Sequence, residues 1–429
     1  MTVSPADETS RRLSPPTVLR RAFGAWGLAI LLASVSAFAE SPESAFQRFD
    51  QRAQAGERLS VVFFGGSLTW GAQATDPQLT SYRALVSRRL EDHYPKAHFT
   101  FWDAAIGGTG SQLGAFRMER DVFARHPDLV FLDFTVNDGP FAKPNPDRLA
   151  SYESLIRRLV QKDIPVVPLI LAVKKDTLPD APSRPLDASH KEIAAAYGLP
   201  VGDAVTLIQQ RVREGSATPD ELWPLPDDQT HPGDAGYALY AEAAWQAYEQ
   251  AVANSLTLRL PEPMLHADTY MTVRRQKISQ LGPLPSGWKP GSPQRTAITF
   301  DFLPSRWLDE VSIAARPAEG EALPPAPLRL KVKARNILLF GEATPLSGKY
   351  EVRVDGGEAR TFDAGQMARQ GNLRYVETIA SDLDPAKEHL VEITPRLEPG
   401  QELHLESVCV AGSLAEVSSA PSSSHDSTH

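Results

Sequence analysis

The sequence predicts an α/β protein, a three-layer doubly wound parallel sheet, followed by a smaller all-β sandwich. Three observations carry this expectation. From Leu59 to about Ala253, short apolar runs alternate with amphipathic helical stretches, as in a parallel sheet covered by helices on both faces. Beyond residue 255 the period drops to two, and Pro and Gly punctuate the runs. A Pro-rich passage, Gly282–Pro290, lies between the two textures.

In the first region the strand candidates are Leu59–Phe64, Phe99–Ala104, Leu129–Phe134, Pro165–Val173 and a short one near Pro200 and Val201. The helix candidates between them are Ser81–His93, Gln112–Arg125, Pro146–Gln161, Asp187–Ala196 and Val205–Arg213, with a last helix from about Gly236 to Ala253. In the second region alternating runs stand at Leu328–Val332, Lys349–Val354, Leu390–Ile393 and Leu403–Glu406. Asp355-Gly356 offers hairpin chemistry, because both residues tolerate the positive φ of a tight turn. The domain boundaries expected are 1–39 for an export signal, 40–255 catalytic, 256–295 linker, 296–413 sandwich and 414–429 a disordered Ser-rich tail.

The signal is read from Arg11, Arg12, Arg20 and Arg21, an uncharged stretch from Ala22, and Ala37-Phe38-Ala39 as a cleavage site. Export, to a periplasmic or extracellular destination with no stable membrane insertion after cleavage, is the expectation. The chain holds 44 basic and 53 acidic residues, a net charge of −9. Four of the arginines lie in the first 39 residues, so the rest is more acidic still, which disfavours nucleic acid as a partner. The single cysteine, Cys409, allows no internal disulfide and sits in an apolar strand pattern. No closely spaced Cys, His or acidic set suggests a metal, and no cofactor is expected.

Four segments carry chemistry. After the first strand, Gly65-Gly66-Ser67-Leu68-Thr69-Trp70-Gly71 lets the chain turn tightly and leaves a hydroxyl at the sheet's C-terminal edge, where α/β folds bind ligands. A serine hydroxyl needs a base and donors for the developing oxyanion. After the second strand, Gly107, Gly108 and Gly110 open a helix and expose backbone N–H groups; after the third, Asn137 offers a side-chain amide. Asp228 and His231, three residues apart before the last helix, can come from one loop as carboxylate and imidazole, with Asp227 the alternative acid. His190, with Glu192 nearby, reads as structural or surface, as do His93, His98 and His126.

Together these segments resemble the GDSL/SGNH hydrolase family over about 200 residues, in the family's own order. The resemblance implies a flavodoxin-like sheet and a serine esterase working through an acyl-enzyme. Ser67 would be nucleophile and oxyanion donor, Gly108 (or its neighbour Gly107) and Asn137 the other donors, His231 the base and Asp228 its orienting acid. Two positions depart from the family pattern: Gly66 stands for the usual Asp, and Thr135 for the usual Gly. Neither is a reacting group. The first touches only secondary hydrogen bonding at the nucleophile turn, and the second suggests a tighter site near Asn137. An α/β-hydrolase elbow fits less well, because Thr69 stands where G-x-S-x-G requires its last Gly.

The β region around Leu338–Glu342 and Ser347–Gly356 resembles the jelly-roll modules of bacterial carbohydrate esterases. Together with export, that resemblance implies an O-acetyl esterase acting on a small-molecule sugar ester or a polysaccharide. A polysaccharide O-acyltransferase with the same triad, or a non-catalytic carbohydrate-binding protein on a hydrolase scaffold, are the rivals. Trp288 and Trp307 are expected in the core rather than stacked on a sugar.

Overall fold

The computed structural model describes residues 43–294, 307–318, 323–366 and 373–420. The proposed signal lies outside them, as does the end of the proposed tail. Five parallel strands form the first sheet: β1 (Arg58–Gly65), β2 (His98–Ala105), β3 (Leu129–Asp133), β4 (Val166–Ile170) and β5 (Gly202–Asp203), in the order β2-β1-β3-β4-β5. That is the flavodoxin-like order, with the switch point beside β1. β3 and β4 are buried throughout, as strands covered on both faces must be. One group of helices packs together from Ala45–Gln54, Tyr82–His93, Ala204–Arg213 and Asp234–Ala253, another from Ser111–Asp121, Pro146–Val160 and Pro185–Ala196.

The helix Tyr82–His93 starts where Ser81 accepts from the Ala84 N–H, and Pro146–Val160 where Asn145 caps two N–H groups and Pro146 presets φ. β4 stops at Ile170 although Leu171, Ala172 and Val173 remain buried, because two-residue β5 pairs only with Leu169 and Ile170.

Antiparallel strands form two further sheets. One contains β6 (Val273–Lys277), β7 (Trp288–Gly291), β8 (Val311–Ala315), β10 (Asn336–Ala343), β13 (Leu373–Ala380) and β15 (Glu402–Ala411); the other contains β9 (Leu328–Lys333), β11 (Lys349–Val354), β12 (Arg360–Asp363), β14 (His389–Arg396) and β16 (Glu416–Ser419). A shared apolar core, including Leu330, Tyr350 and Ile393 of one sheet with Leu339, Leu405 and Val408 of the other, makes them a sandwich. Asp355 and Gly356 take φ 54° and 70°, and the Gly357 N–H returns to Val354 O at 2.9 Å, as the Asp-Gly pair requires. Cys409 is fully buried, its thiol pushed up to about 12 by that burial. Trp288 and Trp307 are both core residues.

Two expected boundaries are corrected. Residues 256–295 are not a plain linker, since β6 pairs with β15 and β7 with β8. The tail does not begin at 414, since β16 pairs with β9. Backbone pairing to neighbours distant in sequence overrides the local Pro- and Ser-rich composition in both places.

The sandwich packs on the parallel-sheet region, and the described residues form one unit. Leu338 and Phe340 of β10, Cys409 and Ala411 of β15, and Trp307 share a core cluster with Phe116 and Tyr270. Polar contacts flank it: Asp147 accepts from Asn336 Nδ2 and from the Tyr270 hydroxyl, each at 2.6 Å. Arg374 of β13 reaches across to donate to Gly107 O.

Candidate active site

Ser67 opens a four-residue helical turn one residue after β1, with Gly66 at the N-cap position. Its Oγ lies 2.7 Å from His231 Nε2, across 164 residues of chain. His231 Nδ1 lies 2.7 Å from Asp228 Oδ2. A carboxylate can only accept, so Nδ1 carries the proton and Nε2 is left to accept from the Ser67 O–H. The structure thus brings all three expected residues into one relay. Asp227, the alternative acid, is exposed.

Asp228 is fixed by more than the imidazole. Its Oδ1 accepts from the backbone N–H of Thr230 and His231, each at 3.0 Å, and Gln73 Nε2 donates to Oδ2 at 3.1 Å. Partial burial works against the carboxylate charge, but these donors outweigh it and hold the acid below its ordinary range. Gln73 adopts φ 69°, an uncommon conformation for a residue with a side chain. Two residues on, Thr75 N–H and hydroxyl both bond to Asp234 at the start of the last helix, at 2.9 and 2.5 Å. The loop behind the serine is therefore tied to the loop of the histidine at two points.

The glycine-rich loop and the Asn137 turn close the other side. A Cβ built on Gly66 would stand 2.2 Å from Asn137 Oδ1 and 3.6 Å from Thr109 O, so both loops border the Ser67 turn. Gly66, where the family has Asp, leaves room for the Asn137 amide. Gly108 has φ +69° and nothing within 4 Å of where a Cβ would point, so its peptide borders open space. Asp138 ties the loops together by accepting from Ser111 N–H at 2.9 Å; its burial raises its carboxyl to about 6 against those bonds.

Guanidiniums hold the backbone beneath these loops. Arg117, fully buried, donates to Ala104 O at 2.5 Å and Gly65 O at 2.7 Å, joining the ends of β1 and β2. Arg148 donates to Asn137 O and Asp138 O at 3.3 and 2.8 Å. Nothing in the sequence pattern marked Gln73, Arg117 or Arg148, because their partners are backbone carbonyls or a residue far along the chain.

Thr135 does not tighten the cleft. It is fully buried, its hydroxyl 2.9 Å from His190 Nδ1, while the His190 ring stacks on Tyr152 at 3.6 Å. Burial pushes the imidazole down to about 3, so His190 is a neutral structural residue, as its helix position suggested.

Residues 63–239 match the model of the GDSL-like Lipase/Acylhydrolase family. The chain carries a GDSL-like lipase/acylhydrolase domain. The matched span runs from β1 past His231, and the protein is a carboxylic ester hydrolase. Among solved structures it is similar to a two-domain esterase (CEX) active on acetylated mannans, at 25% identity and a TM-score of 0.71, covering 87% of this chain and 95% of that one. That crystal was grown with mannopentaose; a second crystal structure of a two-domain esterase (CEX) active on acetylated mannans gives the same identity and TM-score, with 96% of its chain covered. An acetyl xylan esterase, AlAXEase, aligns with 44% of this chain at 21% identity and a TM-score of 0.38. No curated protein matches the chain.

Proposed function

We propose that this GDSL hydrolase is an exported carbohydrate O-acetyl esterase that works through an acyl-enzyme on Ser67. The observation that carries the chemistry is the relay Ser67 Oγ–His231 Nε2 and His231 Nδ1–Asp228 Oδ2, each link 2.7 Å. His231 takes the hydroxyl proton as Ser67 Oγ bonds to the ester carbonyl carbon. The carbonyl oxygen becomes an oxyanion facing the N–H groups of Ser67 and Gly108 and the Asn137 amide. The intermediate collapses, the ester C–O bond breaks, and His231 protonates the departing sugar oxygen. Water, deprotonated by the same imidazole, then releases the acid and restores Ser67.

The substrate class rests on the likeness to the mannan esterase, which extends over both the parallel-sheet region and the sandwich. Export rests on the basic and apolar segment ending at Ala39. No helix among the described residues is long and apolar enough to cross a membrane.

Acetate release from acetylated mannooligosaccharides, measured beside butyrate esters of the same sugars, tests the proposal. The acetylated sugars should be turned over faster by the wild type and not detectably by Ser67→Ala. Equal activity in Ser67→Ala overturns the mechanism, and a preference for butyrate overturns the acetyl reading.

A further inference from the structure

Arg374 lies on β13 of the sandwich, 267 residues from the glycine loop whose Gly107 carbonyl it contacts through Nη2. We infer that Arg374 is a positioning residue for the oxyanion donor, so that the sandwich supplies part of the catalytic machinery. The inference rests on the proposed roles of Ser67 and Gly108.

The physical link is a single peptide unit. Gly107 C=O and Gly108 N–H belong to the same planar trans amide and point in opposite directions, so holding the oxygen aims the N–H. Gly108 itself is exposed: its φ is +69°, and among the described residues no atom beyond its chain neighbours lies within 4 Å of where a Cβ would stand. With Gly108 exposed and glycine on both sides of the peptide bond, the peptide plane can turn, which would swing the donor away from the oxyanion. A guanidinium on the carbonyl removes that freedom. Its charge also polarises the amide and strengthens the N–H as a donor.

The sandwich is built to deliver this group. β13 pairs with β10 in a register that sets Arg374 opposite Glu342, Val376 opposite Phe340 and Thr378 opposite Leu338. Leu338 and Phe340 belong to the core cluster shared with the parallel-sheet region and Val376 packs against it, so Arg374 and Glu342 share the face turned toward that region. Glu342 is fully buried and is itself held by His404 Nδ1 at 2.9 Å and the Gln294 N–H at 2.8 Å. His404 is held in turn by Glu402 at 2.7 Å from Nε2. The register sets this anchored Glu342 carboxylate across the strand from Arg374. Arg117 and Arg148 hold the carbonyls of Gly65 and Asn137 from within the GDSL domain. Arg374 completes the set from outside it.

The test uses the full chain and 4-nitrophenyl acetate, which has no sugar to contact the sandwich, beside an acetylated mannooligosaccharide. Arg374→Met should lower kcat about tenfold or more on both substrates, part of the 10²–10³ lost when a donor is removed outright, with KM changed less than about threefold. Arg374→Lys, which keeps a charged donor, should regain part of the loss. Because Arg374→Met leaves Glu342 without its cross-strand charge, the double variant Glu342→Gln/Arg374→Met is measured too, and it decides by the same criteria if the single variant does not fold. Folded variants with kcat within twofold of wild type on 4-nitrophenyl acetate overturn the inference. A loss confined to KM on the oligosaccharide also overturns it, in favour of a sugar contact. Activity unchanged in Ser67→Ala would instead remove the reading on which the inference rests.

Discussion

Replacing Asp228 by Asn keeps the shape of the acid and removes its charge. In the native relay Asp228 Oδ1 accepts two backbone N–H groups at 3.0 Å, and Oδ2 accepts His231 Nδ1 at 2.7 Å. The backbone donors would claim the Asn carbonyl, leaving its amide facing Nδ1. Two donors cannot share that contact, so the imidazole shifts its proton to Nε2, which then points a hydrogen at Ser67 and cannot act as base. The charge is lost as well. With charge centres roughly 4 Å apart and an effective dielectric of about 20, suited to a pair whose side chains are 19% and 23% exposed, the carboxylate stabilises the imidazolium by about 4 kcal/mol. That corresponds to about a thousandfold in kcat. Steady-state hydrolysis of 4-nitrophenyl acetate measures it, with Asp227→Asn as the exposed control, expected within twofold of wild type. A loss below about tenfold for Asp228→Asn, or an equal loss for Asp227→Asn, would refute the assignment of the acid.

Other outcomes follow from the same geometry. Asn137→Ala should lower kcat about a hundredfold or more without changing the melting temperature appreciably, since a lost oxyanion donor costs roughly 3–4 kcal/mol of barrier. Gly66→Ala should cost at least about tenfold through the same amide, because its Cβ would stand 2.2 Å from Asn137 Oδ1; near-normal kinetics would show that Asn137 does not act from its present position. Arg117→Met strips a fully buried guanidinium from Asp121 and from the carbonyls of Gly65 and Ala104, so a thermal melt should show destabilisation of about 3–5 kcal/mol. His190, pushed down to about 3 in the fold from an ordinary 6.5, binds its proton in the unfolded chain first. Wild-type stability relative to His190→Asn should therefore be fully present above about 6.5 and shrink by up to about 1.4 kcal/mol per pH unit as pH falls toward 3, read from denaturant midpoints. A constant difference across that range would mean that the imidazole is not buried neutral.

What could be read in advance was whatever residue type and local period encode. The alternation of apolar runs and helices located the parallel sheet, and period two located β9, β11 and β14. β10 and most of β15 carry no alternation, because one face meets the sandwich core and the other the GDSL domain, leaving both sides buried. β6, β7 and β16 lie in segments whose composition reads as linker or tail, and only pairing with strands distant in sequence makes them strands. Ser67, Asp228 and His231, which the structure brings together, could be singled out because their own side-chain chemistry marks them, as could Asn137, which borders the same turn. The groups that aim them could not. Arg117, Arg148 and Arg374 act on backbone carbonyls, which any residue can present, and Gln73 acts on an acid 155 positions away. Thr135 misled for a related reason: its identity suggested bulk in the cleft, whereas its rotamer turns inward to His190.

The most direct measurement is covalent capture of the nucleophile: the intact protein is treated with a fluorophosphonate, digested, and the modified residue located by mass spectrometry. The relay predicts one adduct on the peptide containing Ser67, abolished in Ser67→Ala and strongly slowed in His231→Ala. Modification of a different serine, or labelling of Ser67 at an undiminished rate without His231, would contradict it.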